Sequence, residues 1–287
     1  MRVCIKPKLP ANVKKIMINK SAIRFLGKCF LPALMVVWSV LSYAQEPSVK
    51  IMKWTVGDTL REAMVYLPST AKSKDSPVIF VFHGHGGTMG NIFRSKGFEK
   101  IWPEAIIVCP QGLNTPGQLT DPSGRLPGWQ KAPGDMQDRD LHFFDAMLKT
   151  LRQDYRVDNK RIYATGHSNG GGFTYLLWAT RGDIFAAFAP SAAVAPKVAN
   201  QLKPKPVLHI MGEQDELVKT AWQKAMCNKI LQVNGCTDKS QPYDQYASLY
   251  PSRTQTPVVL YIHPGGHVYP AEANNVVIKF FKSMIKP

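Results

Sequence analysis

The stretch Ile162-Tyr163-Ala164-Thr165-Gly166-His167-Ser168-Asn169-Gly170-Gly171-Gly172 constrains this chain more than any other. A short β-prone apolar run enters a Gly-x-Ser-x-Gly pentapeptide, and a helix-compatible run, Phe173 to Ala179, leaves it. Strand, tight turn and helix in that order place a serine hydroxyl at the exposed apex of a strained bend. Glycine is needed at 166 and 170 because a Cβ on either side of the serine would collide with the adjoining strand or helix. The pentapeptide alone is a common chance occurrence. Its flanks give it weight, and the partners a serine nucleophile requires must then be found elsewhere in the chain.

Apolar patterning supplies the frame. Val49 to Val56 and Arg61 to Leu67 alternate polar and apolar around Gly57-Asp58, predicting an antiparallel N-terminal hairpin. Pro77 to Phe82 is almost continuously apolar, as a strand buried on both faces must be, and Ala105 to Cys109 is the next such run. Pro110 to Gln137 is a long connection rich in Gly and Pro, a length usually associated with function in a compact domain. An amphipathic helix is predicted over Asp138–Tyr155, with Leu141, Phe144, Met147, Leu148 and Leu151 on one face. Asp140 at its start is expected in a capping or structural role.

Further strands are predicted at Arg161–Ala164, Phe185–Ala189, Pro206–Met211 and Pro257–Ile262. Helices are predicted from the serine turn to Thr180, over Val218–Val233 and over Ala271–Ile285. This alternation implies an α/β fold with a mostly parallel sheet and helices on both faces. Pro190 to Lys205 is too short for a large lid.

The first 44 residues read differently: eight Lys or Arg, no Asp or Glu, then an apolar run of 13 residues from Cys29 to Leu41 and the small-residue pattern Ser42-Tyr43-Ala44. That is the pattern of a secretory signal peptide cut before Gln45, leaving one domain over 45–287 in the periplasm or medium. The apolar run is short of the roughly 20 residues a membrane span needs, so no stable anchor is expected after cleavage. Met17 is an alternative start that would give a more ordinary leader. Without the leader the net charge of +16 falls to about +8. No Arg/Lys run is interleaved with aromatics, so nucleic-acid binding is not indicated. Cys109 reads as a buried strand residue. Cys227 and Cys236, close in sequence in an exported protein, are expected to form a disulfide. The cysteine spacing suggests no metal site.

Ligands in parallel α/β sheets bind beyond the carboxyl ends of the strands. Four predicted strand ends carry chemistry: the glycine-rich loop His83–Gly87, Ser168, the acidic cluster Glu213-Gln214-Asp215-Glu216, and His263-Pro264-Gly265-Gly266-His267. The order Ser…Asp…His, with gaps of 47 and 52 residues, suits a serine hydrolase built on such a sheet. His267 would act as base and Asp215 would orient it. His263 competes for the first role, and Glu213 and Glu216 for the second. The backbone N–H groups of Asn169 and His85 are the expected oxyanion donors. His83 is expected to shape its loop.

These motifs, together with Pro110-Gln111-Gly112, Gly128-Trp129, Arg156-Val157-Asp158, Arg161-Ile162-Tyr163 and Asn234-Gly235-Cys236, resemble the secreted polyhydroxybutyrate depolymerase and feruloyl esterase-like family of α/β-hydrolases over residues 50–285. The resemblance implies an α/β-hydrolase fold and cofactor-free hydrolysis of carboxylic esters by Ser168, Asp215 and His267. It implies that Trp129 lines the substrate cleft. It points to hydroxycinnamoyl or acetyl esters of polysaccharide, or short polyhydroxyalkanoate-type polyesters. A serine peptidase on the same fold and a catalytically silent binding module are the competing readings.

Overall fold

Val78, Phe80 and Phe82 pack on one side of a central strand and Ile79 and Val81 on the other, all fully buried. Successive strand residues point to opposite faces, so a run apolar at every position can lie only between two packed layers. Burying each such side chain contributes about 1.5–3 kcal/mol. In the computed structural model, which describes residues 46–287, this strand lies inside a large sheet with helices on both sides. The expected signal peptide and its cut site lie outside the described residues.

In chain order the elements are β1 (Ser48–Val56), β2 (Thr59–Leu67), β3 (Ser76–Phe82), α1 (Met89–Lys96), α2 (Phe98–Ile101), β4 (Ile106–Pro110), β5 (Leu113–Asn114) and β6 (Pro127–Gly128). They continue with α3 (Arg139–Asp154), β7 (Val157–His167), α4 (Asn169–Arg181), β8 (Ala187–Ser191), β9 (Val207–Gly212) and α5 (Thr220–Val233). The chain closes with β10 (Gln241–Asp244), β11 (Ala247–Tyr250), β12 (Val258–His263) and α6 (Ala273–Ser283).

Among the described residues, ten strands form one sheet in the order β1-β2-β4-β3-β7-β8-β9-β12-β11-β10. From β4 through β12 neighbouring strands are parallel, and an antiparallel pair extends each edge. Helices α3, α4 and α5 cover one face; α1, α2 and α6 cover the other. This is the α/β-hydrolase architecture expected from the sequence.

Two features depart from the expected course. Helix α1 was not predicted: of its eight residues only Ile92 and Lys96 are buried, so no apolar stripe marks it. Its signals are its caps, the Thr88 hydroxyl accepting from the Asn91 N–H at 3.2 Å and Gly97 in the left-handed region at φ 53°. The β10–β11 hairpin was also missed, because all but one of its residues are exposed or half-exposed and no apolar alternation marks it.

The long connection after β4 is ordered rather than structureless. The short β5–β6 ladder joins its two ends, and a buried ion pair anchors its exit. Arg61 of β2 donates to Asp140 Oδ1 at 2.8 Å, with both side chains almost wholly buried. Asp140 Oδ2 accepts from the Gln130 N–H, and Gln130 Oε1 accepts from the Asp140 and Leu141 N–H groups. Asp140 thus has the structural role expected of it.

Candidate active site

Strand β7 ends at His167 and helix α4 begins at Asn169, leaving Ser168 alone in the bend at φ 56°, ψ −120°. That positive φ is strained for a residue with a side chain. Two glycines make the bend possible. A Cβ on Gly166 would press on the Gly170 carbonyl, and one on Gly170 would press on the Phe82 and His83 carbonyls. The Ser168 N–H donates to the Ser191 carbonyl at 2.8 Å, tying the bend to neighbouring β8.

The carboxyl ends of β9 and β12 bring an acid and an imidazole to the same edge. Ser168 Oγ lies 2.9 Å from His267 Nε2, and His267 Nδ1 lies 2.8 Å from Asp215 Oδ2. A carboxylate only accepts, so Nδ1 carries the proton and Nε2 is left to accept from the serine hydroxyl. Asp215 is buried; its Oδ1 accepts from the Leu217 and Val218 N–H groups at 3.0 and 2.9 Å. Glu213 and Glu216 are exposed and outside this chain of bonds. His263 is buried beside its own loop, its Nδ1 accepting from the Gly265 N–H.

Residues 129–263 match the prolyl oligopeptidase family. The probable feruloyl esterase C of Aspergillus terreus is 28% identical over 221 residues, covering 72% of this chain and 76% of that protein. Feruloyl esterase C of Emericella nidulans is 29% identical over 180 residues, covering 59% of this chain and 61% of that one. In fold, the chain superposes on the acetyl xylan esterase of Aspergillus awamori with TM-score 0.61 at 13% identity, covering 82% of this chain and 99% of that one. The chain has the α/β-hydrolase fold and is similar to feruloyl esterases.

Behind Asp215 the hydrolase carries a buried polar chain that sequence reasoning missed. Gln223 Nε2 donates to Asp215 Oδ2 at 2.9 Å and to the Val218 carbonyl at 2.7 Å. Its Oε1 faces His209 Nε2 at 3.2 Å, and His209 Nδ1 faces the Tyr175 hydroxyl at 2.6 Å. Because Oε1 only accepts, His209 is protonated on Nε2 and accepts from Tyr175 on Nδ1. Burial pushes the His209 imidazole down to about 4, so it is neutral in this role. The one sequence signal was a histidine inside the otherwise apolar strand Pro206–Met211.

The glycine-rich loop after β3 passes directly over the bend: a Cβ on Gly84 would sit 3.5 Å from Ser168 Cβ. His83 shapes this loop as expected, donating from Nδ1 to the Gly84 carbonyl and accepting the Gly112 N–H on Nε2 at 2.9 Å. Among the described residues, neither the His85 nor the Asn169 N–H has an acceptor within the chain. His167 turns inward, its ring centroid 5.0 Å from that of His267. Burial, with Lys96, His267 and His263 nearby, pushes it down to about 3.

Two sequence expectations are corrected. Trp129 does not line a cleft: it is fully buried, stacks on Phe173 and donates from its indole N–H to the His83 carbonyl at 2.8 Å. The hydrolase uses it as the floor under the loop. Cys227 and Cys236 are not bonded to each other. The Cys227 side chain is held in the core by α5, while Cys236 lies beyond the helix end with its thiol on the Tyr250 carbonyl at 3.7 Å. Proximity in sequence did not bring the two sulfurs together.

Proposed function

We propose that the protein is an exported serine esterase that hydrolyses hydroxycinnamoyl or acetyl esters carried on polysaccharide, through an acyl-enzyme. The observation that carries this reading is the hydrogen-bonded chain Ser168–His267–Asp215 at the carboxyl edge of the parallel strands. His267 takes the Ser168 proton as Oγ attacks the ester carbonyl, and Asp215 stabilises the imidazolium. The tetrahedral oxyanion accepts from the His85 and Asn169 N–H groups, donors with no competing acceptor among the described residues. His267 then protonates the leaving alkoxide. Water repeats the sequence on the acyl-enzyme and releases the acid. Relatives named as feruloyl esterases support the substrate class, and the basic leader with its apolar run supports export.

The match to the prolyl oligopeptidase family favours a second reading, amide hydrolysis by the same three residues. Residues 45–287 should be assayed on methyl ferulate, p-nitrophenyl acetate, acetylated xylan, polyhydroxybutyrate and peptide anilides beside Ser168→Ala. Fluorophosphonate labelling followed by peptide mapping should locate the tag on Ser168. The esterase reading predicts ester turnover lost in the variant. A folded wild type inert on every ester would sink it, and peptide cleavage outrunning ester cleavage would install the alternative.

A further inference from the structure

The two expected oxyanion donors belong to residues whose side chains hold the same piece of backbone. Asn169 brackets Trp129: its Oδ1 accepts the Trp129 N–H at 2.6 Å and its Nδ2 donates to the Trp129 carbonyl at 3.0 Å. The His85 ring rests against the preceding residue, Gly128. A Cβ built on Gly128 would lie 2.7 Å from His85 Nδ1 and 2.8 Å from Asn169 Oδ1, so this glycine is wedged between the two. The Gly86 N–H is tied to the same segment, donating to the Pro127 carbonyl at 2.7 Å.

The other end of the His85 ring is locked by a carboxylate outside the Ser168–His267–Asp215 chain. His85 Nε2 lies 3.3 Å from Asp121 Oδ2, and both side chains are under a tenth exposed. Asp121 is itself held by four further bonds. Its Oδ2 accepts the Leu126 N–H at 2.8 Å, its Oδ1 accepts the Ser123 hydroxyl at 2.9 Å, and its backbone pairs with Gly117 in both directions. Gly117 leaves room for the ring, since a Cβ there would fall 2.9 Å from two imidazole atoms. The ring is thus caged between Gly117 and Gly128 and aligned by Asp121. With its ring caged and the next N–H, that of Gly86, bonded to the Pro127 carbonyl, the His85 backbone is held on both sides.

We propose that Asp121 is a positioning residue for oxyanion stabilisation. Through the His85 imidazole, and with Gly128 as spacer, it fixes the separation and aim of the His85 and Asn169 N–H groups. The inference rests on the esterase reading above. It assigns a transition-state role to the long loop that follows β4, and assigns none in binding the substrate's ground state.

The test compares wild type, Asp121→Ala, Asp121→Asn and Gly128→Ala. Readouts are kcat and KM on methyl ferulate, affinity for phenylboronic acid (which forms a tetrahedral serine adduct) and affinity for ferulate. Removing an oxyanion donor costs roughly 100- to 1,000-fold in kcat, so misaiming one should cost roughly 10- to 100-fold. Asp121→Ala and Gly128→Ala should show that loss with KM nearly unchanged, phenylboronate affinity falling in parallel and ferulate affinity held. Asp121→Asn keeps an oxygen for the Nε2–H and should recover most of the rate. If Asp121→Ala does not fold, Gly128→Ala and Asp121→Asn still decide the matter. Wild-type kcat in Asp121→Ala and Gly128→Ala, or ferulate affinity falling as far as phenylboronate affinity, overturns the inference while Ser168 labelling and wild-type ester turnover stand. A wild type that turns over no ester overturns both.

Discussion

Gln223 and His267 donate to the same oxygen of Asp215, at 2.9 and 2.8 Å. The amide therefore fixes which carboxylate oxygen faces the imidazole. Gln223→Ala removes that donor and leaves the His209 Nε2–H without its acceptor. Leaving one buried polar group unpaired costs about 1–3 kcal/mol. The variant should lose stability by that order, measured by urea denaturation. Under the proposed mechanism kcat should also fall, with KM for methyl ferulate unchanged, because the effect reaches the base and not the substrate. A variant with unaltered kcat would show that the two backbone N–H bonds to Oδ1 suffice to hold Asp215.

Ser168 sits at φ 56° with a side chain that the bend would rather not carry. Ser168→Gly should therefore raise the melting temperature while abolishing ester turnover, since strained φ/ψ regions cost about 1–3 kcal/mol per residue. Differential scanning calorimetry against Ser168→Ala isolates the backbone part, because both variants lack the hydroxyl and only one relaxes the torsion.

The Arg61–Asp140 pair is buried, and Arg61 also packs over the Phe143 ring at 4.3 Å. Removing one partner of such a pair leaves an uncompensated charge and costs about 3–5 kcal/mol. Asp140→Ala should approach that loss in chemical denaturation. Because Asp140 also holds the Gln130 N–H, limited proteolysis should then cut between residues 112 and 135 before any other site. Intact loop resistance in the variant would contradict the anchoring role.

Two histidines held well below the usual imidazole range make the fold acid-sensitive. His209 is depressed to about 4 and His167 to about 3 by burial, whereas both titrate near 6.5 in the unfolded chain. Between those limits the unfolded state binds more protons, so stability rises with pH and falls as pH drops below about 6.5. The urea midpoint should decline from pH 6.5 to pH 4. Substituting His209 by Gln should flatten the slope at some cost in stability at pH 7. A slope unchanged in that variant would place the acid sensitivity elsewhere.

The sequence by itself determined the layered fold and the order of its chemistry. Strands such as Ser76–Phe82 announce themselves because burial on two faces demands apolar residues at consecutive positions. Gly166 and Gly170 mark their bend because no other residue fits. Ser168, Asp215 and His267 stood out because each follows an apolar run that must end at the same edge of a parallel sheet. Whatever depends on contacts between distant segments was decided only by the tertiary structure. Trp129 became a floor rather than a cleft wall because Phe173 and the His83 carbonyl close over it. Cys227 and Cys236, nine residues apart, stay unbonded because a helix and the loop beyond it aim their thiols differently. The Asp121–His85 contact spans 36 residues and the Gln223–His209 contact 14. Neither has a local pattern, because a hydrogen bond between side chains leaves no periodicity in either segment that supplies them.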